Sequence, residues 1–202
     1  MPIPLRYRLF FLRHGETSWN VEGRLQGQRD IPLDPRGFDQ AGAAGRAVRR
    51  FLGSDSGAAL AELDFHASPL ARARVTMELA RRAMGLPPQP YAMDDRLKEI
   101  SFGDWEGCTW REIKARDPER ADARARDKWG YAPPGGESYQ MLAERLRSWL
   151  ETLDSDSLVV SHGGVARALM VLLGGADPAS APTIEVWQGR ALLFEGGGFR
   201  WL

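Results

Sequence analysis

The chain holds three histidines, and two of them share one setting. Arg13-His14-Gly15 and Ser161-His162-Gly163 each close a short apolar run, and each places glycine directly after the imidazole. A neutral imidazole is a nucleophile and a base, whereas a protonated one donates to anions. Glycine beside it removes Cβ crowding and lets a ligand approach the backbone. The third histidine, His66, precedes Ala67-Ser68 and is read as structural. No HExxH, paired-aspartate or Cys/His pattern points to a metal site, so neither metal nor cofactor is expected.

The elements that would position these residues alternate along the chain. Residues 7–12 form a compact apolar run broken only by Arg8, which reads as a buried strand, and residues 16–33 read as polar and irregular. Asp34-Pro35 looks like an N-cap and first-turn pair opening a helix toward Leu52. Residues 53–57 read as a loop and 63–67 as a second strand. Leu70, Ala73, Met77, Ala80 and Met84 then step by three and four, marking an amphipathic helix that Gly85-Leu86-Pro87-Pro88 stops. Residues 96–107 read as strand followed by loop. Residues 110–128 read as two short charged helices that part near Asp117-Pro118. Helical spacing resumes over 137–153, a strand covers 158–161, and a helix covers 164–173. Residues 183–202 suggest one or two terminal strands. Strand, loop and helix in repetition predict an α/β fold: a three-layer sandwich with a mostly parallel open sheet and helices on both faces. In such sheets ligands bind beyond the carboxyl ends of the strands, so His14, Ser68 and His162 should converge at one rim.

Composition narrows the partners. With 202 residues, one α/β domain over 1–202 has enough chain for a substantial core. Lys+Arg and Asp+Glu both total 27, so the net charge is zero and gives no general attraction for nucleic acid or an anionic membrane. Anions must be held by a few placed cations. A single cysteine, Cys108, excludes an intrachain disulfide and suits a reducing, cytoplasmic setting. No run approaches the roughly 20 apolar residues that span a bilayer, and residues 1–12 read as a first strand rather than a signal peptide. Trp19, Trp105, Trp110 and Trp129 read as packing or pocket-wall residues, because no basic stripe accompanies them.

Four blocks carry a resemblance over nearly the whole chain. Residues 12–30 read LRHGETSWNVEGRLQGQRD, 68–76 read SPLARARVT, 97–107 read LKEISFGDWEG and 161–169 read SHGGVARAL. In that order they resemble the histidine phosphatase superfamily, the group that includes cofactor-dependent phosphoglycerate mutase. The resemblance implies that His14 attacks phosphorus in line, and that Arg13 and Arg72 clamp the phosphoryl oxygens through planar, two-pronged guanidinium groups. It implies that His162 donates to the same phosphoryl group, with imidazolium as one form it could take. Asn20 adds an amide donor, Gly163 a backbone N–H, and Gln26 and Gly27 meet the rest of the substrate. Glu99 matches the proton donor to the leaving oxygen.

The family divides on whether water or a second substrate oxygen takes the phosphoryl group. Residues 100–134 would form the lid that sets specificity. Their basic residues, Arg111, Lys114, Arg116, Arg120, Arg124 and Arg126, alternate with acids as on a solvated helix face and include no adjacent arginine pair like the mutase pattern. A metal-independent phosphatase acting on a small phosphate monoester or a phosphoprotein is the favoured expectation. A mutase and a non-catalytic phosphoryl-binding module are the alternatives. A homodimer is suggested by the resemblance alone.

Overall fold

Leu9-Phe10-Phe11-Leu12 is apolar at both alternating sets of positions, which suits a strand covered on both faces. The computed structural model, which describes residues 3–53 and 56–202, places it at the centre of a sheet. The chain runs β1 (Leu9–Arg13), α1 (Ser18–Val21), α2 (Pro35–Leu52), α3 (Ser56–Ala61), β2 (Asp64–Ala67), α4 (Ala71–Ala83) and β3 (Ala92–Met93). It continues through α5 (Trp110–Arg116), α6 (Pro118–Arg126), α7 (Tyr139–Leu150), β4 (Ser157–Ser161), α8 (Gly163–Gly174), β5 (Ala191–Glu195) and β6 (Gly198–Trp201). The six strands lie in the order β3-β2-β4-β1-β5-β6. The pairs β2–β3, β2–β4 and β1–β4 are parallel, and the two C-terminal strands add an antiparallel edge.

Strand periodicity divides the core in two. Leu9, Phe11, Val159 and Phe194 pack against Leu146 and Trp149 of α7 and Leu169 of α8. Phe10, Leu12, Leu158 and Val160 point the other way, onto Val48 of α2 and Met77 of α4. The result is the expected three-layer α/β sandwich. No helix among the described residues is long and apolar enough to cross a membrane.

Several helix ends follow local chemistry. The Asp34 carboxylate accepts from the Gly37 N–H at 2.7 Å, and Pro35 occupies the first turn of α2. Asp117 caps α6 in the same way, so Asp117-Pro118 does separate α5 from α6. Gly175, in the left-handed region, ends α8.

Three expectations need correction. Residues 96–107 contain no strand. They hold two single turns of 3₁₀ helix, Asp95–Leu97 and Gly103–Trp105, and side chains satisfy their backbone where a ladder would have done so. Arg145 donates to the Arg96 and Glu99 carbonyls at 2.5 and 3.1 Å, and Glu137 accepts from the Ser101 N–H at 2.9 Å. The loop expected over 53–57 already contains the start of α3 at Ser56, while residues 54 and 55, like residues 1 and 2 of the expected first strand, lie outside the described residues. The stretch 16–33 includes the one-turn α1, closed by a Thr17–Asn20 capping box.

Gly45 of α2 sets the closeness of the α2–α4 crossing: a Cβ there would lie 2.8 Å from the Ala80 Cα. Gly45→Ala should therefore separate the helices and destabilise the fold by ~1–3 kcal/mol through overpacking, read as a lower thermal midpoint. An unchanged midpoint would mean that the crossing has slack.

Candidate functional site

The strand order brings distant segments together. β1 and β4 pair in parallel with Arg13 opposite Ser161, and the His14 N–H donates to the Ser161 carbonyl at 2.9 Å. On the far side of β4, the Ser68 N–H donates to the Val160 carbonyl at 3.0 Å. His14, His162 and Ser68 thus leave three adjacent strands at one rim, as expected.

His14 is 2% exposed. Its Nδ1 lies 2.7 Å from the Gly15 carbonyl oxygen. A carbonyl only accepts, so Nδ1 carries the hydrogen and Nε2 keeps its lone pair. Burial first, then the charges of Arg72 and Arg13, hold this ring well below the usual histidine pKa, against the opposing pull of the Gly15 bond. It is neutral at pH 7.

The two arginines are anchored from behind. Arg13 Nη1 donates to the Val186 carbonyl at 2.8 Å. Arg72 Nη1 and Nη2 donate to the carbonyls of Arg29 and Gly27 at 2.6 and 2.8 Å. Burial, then Arg167, pushes Arg13 down to about 10, with Glu99 acting in the opposite direction. Burial also lowers Arg72, and Glu99 again opposes it. Both Nε–H groups are buried without a partner. Gly27 lines the cavity, and its carbonyl steers Arg72.

His162 is fully buried, its ring centroid 5.2 Å from that of His14. The imidazolium form is not supported: burial and then Arg72, His14 and Arg13 hold the ring well below the usual value. Its Nε2 lies 2.7 Å from Ser68 Oγ, and that oxygen also accepts from the Leu70 N–H at 3.4 Å. A Ser68 hydroxyl that gives its proton to Nε2 leaves the unpartnered Nδ1 as a neutral N–H donor.

Glu99 sits at the N-terminus of α8. Its carboxylate accepts from the Gly164 N–H at 3.0 and 3.1 Å and from the Ile100 N–H at 2.9 Å. Gly164 has no room for a Cβ against that carboxylate. Gly163 lines the cavity as the first residue of α8, whose leading amides favour negative charge. Asn20 Oδ1 accepts from Thr17 N–H, Thr17 Oγ1 and Gln188 Nε2, leaving its amino group to donate elsewhere. Gln26 is buried with Oε1 unpartnered.

Arg13, His14, Arg72, Glu99, Asn20 and Gln26 thus line one cavity of about 140 Å³. It opens onto an outer cavity of about 410 Å³, with Leu25, Phe102, Tyr139 and Arg167 lining both. Orphaned buried donors on Arg13, Arg72 and His162 are what an oxyanion would satisfy. Among the described residues no group of three or more His, Cys, Asp or Glu could hold a metal ion.

Some site residues escaped sequence reasoning. Arg167 lies inside the SHGGVARAL block, so its position was available there, although nothing in its type marks a second cavity. Gln188, which bonds the His14 carbonyl and Asn20, comes from an irregular segment without any signal. Arg145 fixes the Glu99 backbone from a helix that reads only as amphipathic. His66 lies outside the site, edge-on to Trp149 at 5.8 Å, as its structural reading anticipated.

The chain belongs to the histidine phosphatase superfamily (branch 1), whose family model matches residues 9–201. It is 32% identical to a 2,3-bisphosphoglycerate-dependent phosphoglycerate mutase of Methylobacterium radiotolerans, over 92% of this chain and 88% of that one. It is 33% identical to a glucosyl-3-phosphoglycerate phosphatase of Mycolicibacterium vanbaalenii, over 88% and 78%. Among solved structures, mycobacterial glucosyl-3-phosphoglycerate phosphatase in complex with VO3 superposes with a TM-score of 0.77 at 32% identity, covering 97% and 96%. The superfamily comprises phosphatases and mutases, and both kinds stand among the relatives.

All three histidines are held below the usual value by burial, His14 and His162 the furthest, and this makes stability depend on pH. Above about 6.5, the ordinary value, all three are neutral folded or unfolded; below it the unfolded chain takes up protons that the folded chain refuses. Stability should be full above pH 6.5 and fall as pH drops from there toward the depressed values. Inorganic phosphate, by pairing with the site, should restore part of the loss. Thermal midpoints from pH 8 to 5, with and without phosphate, check this; a flat profile would contradict the neutral-imidazole assignment.

Proposed function

We propose that this chain is a phosphatase that hydrolyses a phosphate monoester through a phosphohistidine on His14. The carrying observation is the Nε2 lone pair of His14, held neutral in a cavity with two guanidinium groups that no carboxylate among the described residues reaches by hydrogen bond. Arginine charge ordinarily favours the anionic partner; here it favours both the phosphate and the unprotonated nucleophile.

In the first step the Nε2 lone pair forms a bond to phosphorus as the ester P–O bond breaks. The departing oxygen takes a proton from the acid form of Glu99, whose carboxyl lies at the N-terminus of α8. Arg13, Arg72, the Gly163 N–H, the Asn20 amide and the neutral His162 N–H stabilise the charge on the three equatorial oxygens. In the second step water attacks phosphorus, Glu99 takes its proton and the N–P bond breaks. Inorganic phosphate leaves and His14 returns to its starting state. Residues 100–134, which carry α5 and α6, cover the outer cavity and set the leaving group.

Phosphoryl transfer between substrate oxygens is the second reading, favoured by the mutase relatives at 29–32% identity. A mutase must hold a bisphosphate in both orientations, so its two anion subsites need comparable donors. The inner cavity is lined by Arg13, Arg72 and the His14 imidazole, whereas the outer lining has Arg124 as its one buried cation among the described residues. That asymmetry supports hydrolysis.

The purified protein should release phosphate from p-nitrophenyl phosphate in excess chelator; activity that appears only with divalent metal would defeat the mechanism. His14→Ala should lower turnover by about 10⁴-fold or more, and near-normal turnover would remove His14 as nucleophile. Glu99→Gln should slow alkyl esters by roughly 10²–10⁴-fold and aryl esters much less, because phenolates leave with little help. Equal losses would assign the proton to another group. Isotope exchange between phosphoglycerates faster than phosphate release would establish the mutase reading instead.

A further inference from the structure

Five of the six basic residues of the 110–126 helices lie exposed, as a solvated face predicts, but Arg124 does not. It is 7% exposed and is the sole buried side chain of α6. Its guanidinium stands 4.7 Å from the Trp110 ring centroid and 5.9 Å from that of Phe102, and it lines the outer cavity. It makes no hydrogen bond or ion pair with any described residue. Burial holds it below the usual arginine value, Tyr139 opposes that, and Arg167, another cation, lowers it further. Arg167 uses Nε on the Ile184 carbonyl at 2.8 Å and lines both cavities. The remaining charges of the outer lining are Lys114, the half-buried Lys128 and one acid, the exposed Asp122.

A buried guanidinium without an acid is an unusual arrangement, because desolvation is uncompensated. Stacking on Trp110 offsets a part of it and fixes the plane of the group. The fork of N–H donors is left facing the cavity. One such fork matches the two oxygens of a carboxylate, whereas the inner cavity meets the greater charge of a phosphate with Arg13, Arg72 and His14.

We infer that the outer cavity selects phosphate esters whose leaving group carries its own carboxylate, bound by Arg124 with Arg167 beside it. The inference deepens the phosphatase reading and rests on it for turnover, although binding can test it alone. In this arrangement Arg124 is a specificity residue for the leaving group and takes no part in bond breaking. The apolar walls formed by Phe102 and Trp110 accept the carbon skeleton between the two anions.

Two matched pairs of esters isolate the carboxylate: 3-phosphoglycerate against glycerol 3-phosphate, and O-phosphoserine against O-phosphoethanolamine. Calorimetry on the full chain should give tighter binding, and phosphate release a higher kcat/KM, for the carboxylate member of each pair by roughly tenfold or more, as for one charge-assisted contact. In Arg124→Gln the ratio within each pair should fall toward one, and Arg124→Lys should recover part of it. Wild-type protein that treats both members alike would overturn the inference, as would an Arg124→Gln variant that keeps the wild-type ratio. Loss of p-nitrophenyl phosphate hydrolysis in wild type with the binding preference intact would overturn the phosphatase reading only.

Discussion

Cations buried next to an uncharged imidazole impose the condition that the rest of this structure answers. Moving an ion out of water costs several kcal/mol even after relaxation, and among the described residues no carboxylate makes hydrogen-bonding contact with Arg13 or Arg72. Their partners are the carbonyls of Val186, Arg29 and Gly27, which satisfy donors without neutralising charge. Glu99, which tempers both arginines, is itself committed to the amides of Gly164 and Ile100. The cavity therefore stays electropositive, and the same field keeps protons off His14 and His162. An oxyanion that reached the free Nε groups would relieve the arginines while leaving the nucleophile unprotonated.

The fold supports that condition with backbone rather than with side-chain charge. Pairing β1 directly against β4 fixes Arg13 opposite Ser161, so the two imidazoles follow from register instead of from any attraction between them. Both strands are covered on each face, which makes a register slip costly because it would turn each apolar set toward the wrong core. Asp30 ties the inner loop to the first turn of the neighbouring helix by accepting from the Ala71 N–H at 2.8 Å, one residue before Arg72. Thr76, one turn later, accepts from the Gly15 N–H and donates to the Arg72 carbonyl. Arg72 is thereby held at both its guanidinium and its backbone.

The sheet and the inner cavity were readable because their signals are local. Apolar runs ending at His14, Ser68 and His162, with helical spacing between them, imply parallel strands whose ends converge. The segment carrying Glu99 was misread as a strand because its backbone is satisfied by long-range side chains of Arg145, Gln28 and Glu137, which leave no periodic mark. Strand β3 is two residues long at the sheet edge, below what alternation can reveal. The protonation of His162 depended on Ser68 and on how deeply both arginines are buried, quantities that only packing defines. Arg124 looked solvated because its neighbours in sequence are charged, whereas its burial comes from Trp110 and Phe102 on other elements.

Inner and outer cavities are built from parts of unequal rigidity, and that separates chemistry from selection. Strand ends and the first turn of α8 are continuous with two apolar cores, so displacing an inner group disturbs packing on both sheet faces. α5 buries only Ile113, and α6 buries only Arg124, so the outer wall is joined to the fold by few apolar contacts. Substitutions there can change which leaving group is admitted without altering the field around the imidazoles. Hydrolysis and transfer then differ less in how phosphorus is attacked than in how firmly the outer wall retains the departing molecule. In the hydrolytic reading, a wall with Arg124 as its one buried cation among the described residues orients a carboxylate and lets the leaving group go before it can reorient.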